Sequence, residues 1–181
     1  PVWTIRPEGL DNSILGVSDV AADDASGVLW LATDGAGLQR VDLNAKRWAV
    51  SDGFVASSNG KGLPTDSITS IAWSDGSLWV SSFEGIGRLD TSTGEYTPIN
   101  VAQTKEVGIV RADEQSWAWA SILGYGVQVF DSGGRLRLDL PAASTIVNRT
   151  ALDIEHFDQL AYIGGREGLD IVSGDRSARS W

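Results

Sequence analysis

The stretch from Gly62 to Tyr96, GLPTDSITSIAWSDGSLWVSSFEGIGRLDTSTGEY, contains features that recur three more times in this chain of 181 residues. When the four copies are aligned, one aromatic residue of a predicted second strand falls into a column made of Trp30, Trp79, Trp119 and Tyr162. Neighbouring members of this column lie roughly 40 to 50 residues apart, and a period of this size is typical of β-propeller blades.

Two further features follow the aromatic column. A glycine and an aliphatic residue come six or seven residues later, as Gly37-Leu38, Gly85-Ile86, Gly126-Val127 and Gly168-Leu169. The first three copies then end in an acidic residue, Asp42, Asp90 or Asp131, where the fourth has Ser173. Glycine at a fixed offset marks a repeated turn, so the pattern predicts several short strands in each copy.

The strands of the second copy follow from alternation and turn residues. Polar and apolar residues alternate over 67–73, and the tight turn Ser74-Asp75-Gly76 leads to further strands at 77–82, 86–89 and 96–99. One four-stranded sheet cannot bury both of its faces alone, so such sheets stack radially. We therefore expect an all-β propeller of about four blades with four antiparallel strands each, at approximately 9–50, 62–99, 106–140 and 149–181.

The chain ends bear on the number of blades. Trp3 and Trp181 share the phase of Trp48, so residues 1–5 are predicted to be the outer strand of a preceding or closing blade. Two arrangements remain open: part of a larger propeller of about six to eight blades, which we favour, or a compact ring of four. The absence of methionine and of a charged, apolar leader favours a removed signal peptide or a segment of a longer protein.

Composition excludes several classes of partner. The chain has a net charge of −10 and a sequence pI near 4.4, so it lacks the basic surface that nucleic acids and anionic membranes require. No apolar run approaches the roughly 18 residues of a membrane-spanning helix, so no direct membrane insertion is expected. With no cysteine, the chain has no disulfide, thiolate metal site or cysteine nucleophile.

The sequence offers no catalytic set. Its single histidine, His156, lies in a predicted strand at 151–157, where the neighbours Asp153 and Glu155 point to the other face. One histidine cannot supply the three or four ligands of a zinc site. Nucleophile and phosphate-binding motifs are absent, so no catalytic residue, metal or cofactor is expected, and His156 is expected to be structural or exposed.

Propeller geometry indicates where a binding site would form. The loops that join the second and third strands of each blade gather at one end of the central channel, together with the connections between blades. We call the side chains in these loops the predicted rim; its candidate ligand-binding residues are Asp34, Phe83, Glu84, Tyr125, Arg166 and Glu167. Their mixture of aromatic, acidic and basic groups is suited to a small-molecule or carbohydrate ligand.

Two other groups of residues have more than one interpretation. The connection at 51–61 contains Phe54, Asn59 and Lys61, and is either a recognition loop with one exposed aromatic residue or a tolerated surface insertion. Trp73 and Trp117 lie outside the aromatic column, and each is expected to face the channel or a groove.

The second copy resembles the two-component regulator propeller repeat, a bacterial family. The residues that carry the resemblance are Gly62-Leu63-Pro64, Ile68, Ile71, Asp75-Gly76, Leu78-Trp79, Gly85-Ile86, Arg88-Leu89-Asp90 and Tyr96. The first copy keeps Gly9-Leu10, Leu29-Trp30, Gly37-Leu38, Arg40-Val41-Asp42 and Trp48, whereas the third and fourth lack the Gly-Leu-Pro opening.

This resemblance implies a function and a compartment. Propellers of this family form the extracytoplasmic sensor region of hybrid or histidine kinases, so it implies a non-catalytic, ligand-sensing module in the periplasm. Adjoining propeller blades or a protein partner are then expected, and any kinase activity lies outside this chain.

Two other function classes remain open. Residues 85–99 also resemble the strands of streptogramin lyases, which use histidines and a glutamate around a magnesium ion, and one histidine cannot provide that set. The alternatives are therefore a fragment of a propeller lyase or hydrolase and a protein-interaction scaffold.

Overall fold

A computed structural model of the chain describes residues 16–45, 50–57, 62–101, 106–142, 144–173 and 178–180. The first blade contains β1 (Val17–Asp23), β2 (Val28–Thr33), β3 (Leu38–Asp42) and β4 (Val50–Phe54). The second contains β5 (Ser70–Ser74), β6 (Ser77–Ser82), β7 (Gly85–Asp90) and β8 (Tyr96–Ile99). The third contains β9 (Val107–Ala112), β10 (Ala118–Ile122), β11 (Gly126–Phe130) and β12 (Leu136–Pro141). The fourth contains β13 (Ala151–Phe157), β14 (Leu160–Gly165), β15 (Leu169–Ser173) and β16 (Ala178–Ser180).

Each blade is an antiparallel sheet whose strands pair in chain order. The inner strands β1, β5, β9 and β13 lie side by side in that order, so the four sheets follow one another around a common axis. The predicted all-β propeller with four four-stranded blades is confirmed. The strand predicted at residues 1–5 lies outside the described residues, as do Trp3, Trp48 and Trp181.

The tryptophans of the aromatic column pack between successive blades. Trp30, Trp79 and Trp119 are 4 %, 0 % and 7 % exposed. Each belongs to a separate apolar core, which lies between blades one and two, two and three, or three and four, respectively. Because removing a buried tryptophan side chain costs about 3–5 kcal/mol, these residues make a large contribution to the contact between blades.

The glycine that follows the aromatic column is required by the backbone. All four positions have positive φ: +67° at Gly37, +143° at Gly85, +133° at Gly126 and +143° at Gly168. Residues with a Cβ atom rarely adopt these angles, because Cβ then clashes with the backbone. The repeated glycine thus fixes the turn from the second to the third strand of each blade.

The first strand of the second blade begins three residues later than predicted. Strand β5 starts at Ser70 rather than at residue 67, because the preceding residues bond to blade one. The backbone N–H of Ile68 donates to the carbonyl oxygen of Thr33 at 3.0 Å, and Ser67 forms an isolated bridge with Asp34. The connection between the blades therefore fastens blade two to blade one.

Residues 51–61 were predicted to form a loop with one exposed aromatic residue, and this prediction is wrong for residues 51–54. Residues 51–54 belong to β4, and Phe54 pairs with Leu38 of β3. The ring of Phe54 stacks on Trp30 with centroids 5.7 Å apart, so Phe54 is half-buried against the core. Burial of the Phe54 ring against Trp30 stabilises the pairing of β4 with β3. Asn59 and Lys61 lie outside the described residues.

Four polar side chains, one from each inner strand, form a connected group that we call the axial cluster. Asp19 Oδ2 accepts hydrogen bonds from Ser70 Oγ at 2.5 Å and from the Arg111 guanidinium at 3.0 Å. The same guanidinium lies 3.4 Å from a carboxylate oxygen of Asp153. One arginine of the third blade therefore contacts side chains of the first, second and fourth blades.

Replacing Gly126 by alanine is expected to destabilise the protein more than replacing Gly85. Both glycines have φ above +130°, but a Cβ atom at Gly126 would lie 2.3 Å from the carbonyl oxygen of Leu140, whereas one at Gly85 meets no atom within 4 Å. We expect a loss of about 1–3 kcal/mol for Gly85→Ala from backbone strain alone, and a larger loss for Gly126→Ala. Equilibrium unfolding in urea measures both, and equal losses would contradict the clash.

Replacing Asp19 by asparagine is expected to cost about 1–3 kcal/mol of unfolding free energy, because its carboxylate accepts charge-assisted hydrogen bonds from two other blades. Asp153→Asn is the matched control. Its side chain is 58 % exposed, its contact to Arg111 is longer, and its other hydrogen bond is to the neighbouring N–H of Ile154, so we expect a loss below about 0.5 kcal/mol. Chemical denaturation compares the two variants, and similar losses would show that the axial cluster does not link the blades.

Candidate functional site

The structure places the predicted rim at one end of the blades. Asp34 lies between β2 and β3, Phe83 and Glu84 between β6 and β7, Tyr125 between β10 and β11, and Arg166 and Glu167 between β14 and β15. Among the described residues, no hydrogen bond or ion pair joins two of these side chains from different blades. The rim as a binding site stays a prediction.

Tyr125 makes its polar contact within its own blade. Its hydroxyl lies 2.8 Å from both carboxylate oxygens of Asp139 and donates to that carboxylate, which also accepts from the Gln128 amide at 3.0 Å. Burial, the hydrogen bond and the negative charge of Asp139 raise the pKa of Tyr125. The hydroxyl is thus directed to the outer strand β12.

A cavity of about 220 Å³ opens between the third and fourth blades. Its walls include the indoles of Trp117 and Trp119 and the imidazole of His156, and we call it the aromatic cavity. The turns β9–β10 and β13–β14 border it, so it lies at the end of the blades opposite to the predicted rim. Since a cavity of about 150 Å³ holds benzene, this volume admits one ring with a short chain.

The turn between β9 and β10 orders one wall of the aromatic cavity. Asp113 Oδ1 accepts hydrogen bonds from the backbone N–H groups of Gln115 and Trp117, each at 2.9 Å. Asp113 Oδ2 accepts from Trp119 Nε1, also at 2.9 Å. One carboxylate therefore orients the indole of Trp119 and the backbone that carries Trp117.

His156 forms the facing wall. Its ring packs edge-on against Trp119, with centroids 5.2 Å apart and an interplanar angle of 63°. Burial lowers the pKa of His156, although the carboxylates of Asp113, Glu155 and Glu114 act in the opposite direction. The imidazole is therefore neutral near pH 7. Its Nε2 is buried and has no hydrogen-bond partner among the described residues.

A second groove, between blades one and two, is related to the aromatic cavity by the repeat. Trp30, Phe54 and Trp73 line it. Trp73 and His156 occupy equivalent positions, because each lies two residues before the tight turn that joins the first and second strands of its blade. Trp73 and Trp117, predicted to face the channel or a groove, thus each line a groove between blades.

Sequence reasoning missed the aromatic cavity. It treated His156 by itself, as a metal ligand or a structural residue, and did not compare it with the aromatic residue at the same place in another copy. Aligning the two turns Asp75-Gly76 and Asp158-Gln159, which both have positive φ, would have matched His156 with Trp73. That match indicates a side chain that packs between blades.

The described residues contain no group of three or more histidine, cysteine, aspartate or glutamate side chains placed to hold a metal ion. Over the same ranges, no helix has the length and apolar character that crossing a bilayer requires.

The pKa of His156 can be measured directly, since it is the only histidine and gives one set of imidazole signals in an NMR titration. We expect a pKa below 6.5, the ordinary value, and a further decrease in Asp113→Asn, which removes a carboxylate that favours protonation. Asp90→Asn, at the end of β7 in blade two, serves as the control and should leave the pKa of His156 unchanged. A pKa at or above 6.5 would contradict the burial of the imidazole.

The same shift fixes the sign of a pH effect on stability. The unfolded chain takes up the proton at about pH 6.5, before the folded protein does. The contribution of the neutral His156 to the free energy of unfolding is therefore fully present above this pH. It decreases as the pH falls from the unfolded pKa to the lower pKa of the folded protein.

No protein-family profile and no curated protein sequence matches the chain. Solved structures do. The extracellular domain of BT3049 from B. thetaiotaomicron, described as a hybrid two-component system, matches with a TM-score of 0.72 and 18 % identity over 95 % of this chain and 25 % of that one. The extracellular domain of BT4673 from the same organism matches with a TM-score of 0.72 and 18 % identity over 91 % of this chain and 23 % of that one. Hydrazine synthase from Kuenenia stuttgartiensis matches with a TM-score of 0.71 and 12 % identity over 96 % of this chain and 50 % of that one.

These comparisons establish the fold. The chain spans about a quarter of the length of the two-component structures that it matches and half of the hydrazine synthase chain. Sequence identity is low in all three cases, so the likeness concerns the arrangement of the strands. The chain has the β-propeller fold found in the extracellular domains of these two-component systems.

Proposed function

We propose that this chain is a non-catalytic ligand-binding module, and that it forms part of the extracytoplasmic sensor region of a bacterial two-component signalling protein. Its ligand is a small molecule, and its compartment is the periplasm. Kinase activity belongs to other parts of such a protein.

The aromatic cavity is the observation that carries this proposal. Small-molecule sites are usually concave and largely apolar, with a few polar groups that orient the ligand. The cavity combines the indoles of Trp117 and Trp119 with polar groups from the bordering turns and with a buried, unpartnered nitrogen of His156. Asp113 holds one of these walls in place before any ligand arrives.

The position of the aromatic cavity suits a sensor. Its wall residue Trp119 is also a member of the apolar core that joins blades three and four. A ligand in the cavity therefore contacts both blades, and it favours the arrangement of the two that it binds better. The ligand can shift the equilibrium between two arrangements of the blades only by the difference between its binding free energies for them.

The comparisons support the signalling context and a further partner. Two of the matched structures are extracellular domains of two-component systems and are about four times as long as the matched segment. We propose an adjoining blade as the partner of blade four. Tyr162, the member of the aromatic column in that blade, is half-buried, and another blade would cover it as the next blade covers Trp119.

Hydrazine synthase shares this fold, so the fold alone does not separate binding from catalysis. The choice of a binding function rests on the aromatic cavity. The predicted rim, with Phe83 59 % exposed, is the second place where we propose that a ligand contacts the chain.

A thermal-shift screen tests the binding function. The chain is heated with neutral sugars, carboxylates, amines and neutral aromatic compounds, each at several concentrations. At about 100 times its dissociation constant, a ligand adds roughly 2.7 kcal/mol, which raises the Tm of a domain of this size by about 5–10 °C. We expect a saturable increase with at least one class, lost in Trp117→Ala and retained in Phe83→Ala.

Two results would change this account. If no class of compound raises the Tm, the binding function is wrong. If the increase is lost in Phe83→Ala and retained in Trp117→Ala, the ligand binds at the predicted rim, and the assignment to the aromatic cavity is overturned.

A further inference from the structure

The tryptophans of the aromatic column differ in the residue beside them. Residues directly opposite each other in an antiparallel pair share one face of the sheet, with their Cβ atoms close together. Arg40 lies opposite Trp30, and Arg88 lies opposite Trp79. In the third blade the residue opposite Trp119 on the third strand, β11, is Val129. An arginine, Arg111, lies opposite Trp119 on the inner strand β9, where its guanidinium contacts Asp19 and Asp153. On the β11 side, Trp119 therefore lacks the arginine that the third strand of each of the first two blades provides.

The aromatic cavity is instead bordered by negative charge. Asp113 and Glu114 lie in one of its turns and Asp158 in the other. The described residues that line it include no lysine or arginine, whereas Arg40 lines the related groove between blades one and two. The imidazole of His156 is neutral near pH 7 and adds no positive charge. The cavity is thus an aromatic site with acidic borders and no cation of its own.

We propose that the aromatic cavity binds an organic ammonium ion, a small amine cation carried on an apolar or aromatic body. This inference rests on the proposed ligand-binding function and names the ligand class for the same site. The negative face of an indole attracts cations. The ligand's ammonium lies beside Trp119 on the β11 side, where the third strands of the first two blades carry Arg40 and Arg88, while its apolar body fills the space next to Trp117.

The polar groups of the aromatic cavity favour an ammonium that carries N–H groups. A primary ammonium has three donors and no acceptor. The carboxylates of Glu114 and Asp158, at the border of the cavity, offer acceptors for these donors. A quaternary ammonium has no N–H to donate, so we expect it to bind more weakly.

Size and charge limit the rest of the ligand. The volume of about 220 Å³ admits one aromatic ring with a chain of two or three atoms. A carboxylate or phosphate in the same place would meet three acidic side chains, with no lysine or arginine among the described residues that line the cavity. We therefore expect anionic analogues of the same shape to be excluded.

Three compounds of nearly equal shape test the charge requirement: phenethylamine, phenethyl alcohol and phenylacetate. Each is added to the full chain at about pH 7.5, and the ring-proton signal of His156 is followed by NMR, since this is the only histidine. We expect a saturable shift with phenethylamine, binding at least about tenfold weaker with the alcohol, and no shift with phenylacetate.

A charge-removing double variant tests the acidic border. Glu114→Gln with Asp158→Asn removes two negative charges, and asparagine is tolerated at the φ of +50° that Asp158 adopts. We expect phenethylamine to bind about tenfold more weakly, roughly threefold for each charge. Asp75→Asn with Glu95→Gln is the matched control. It changes the net charge equally, and Asp75 occupies the equivalent turn of blade two. We expect no change in affinity for this control.

Defined results overturn the inference. It is wrong if phenethylamine and phenethyl alcohol bind equally, if phenethylamine causes no saturable shift, or if both double variants weaken binding by the same factor. A neutral sugar that shifts the His156 signal, and loses this effect in Trp117→Ala, would also refute the ammonium class. That result would leave the proposed binding function intact, so the two failures can be told apart.

Discussion

A four-stranded sheet must bury both of its faces, and the rest of this structure depends on that constraint. The chain meets it by placing a tryptophan on the second strand of the first three blades and packing it against the next blade. Trp79, at the middle interface, is fully buried. The repeated glycine then forms the turn between the second and third strands of each blade, since it adopts a positive φ that other residues avoid. Polar contacts add to this packing near the axis, where Arg111 reaches three other blades.

The same constraint explains why a cavity forms where it does. Each interface needs side chains of matching size on two blades, and the three interfaces are filled differently. Phe54 stacks on Trp30 at the first interface. At the third, His156 meets the indole of Trp119 edge-on, and the space beside them stays open. The aromatic cavity is thus a variation in how one blade contacts the next, and its walls belong to the core that joins them.

The fold could be predicted from the sequence because repeated, local sequence features determine it. The aromatic column and the turn glycines are recognised by their spacing alone, without knowledge of which blades are in contact. The role of Phe54 could not be predicted in this way, since its burial depends on Trp30 in another strand. The aromatic cavity as a whole could not be predicted for the same reason. Aligning the turns indicates that His156 packs between blades, but its contact with Trp119 depends on how the third and fourth blades pack against each other.

The central claim is that packing between blades, through the tryptophans of the aromatic column, holds the four sheets together. Hydrogen–deuterium exchange of the Trp79→Phe variant tests it most directly, since Trp79 packs in a core with residues of blade three. We predict that protection falls in the strands of blades two and three alike, β5–β7 and β9–β11. Loss of protection confined to the strands of blade two would contradict the claim, because Trp79 would then stabilise only its own sheet.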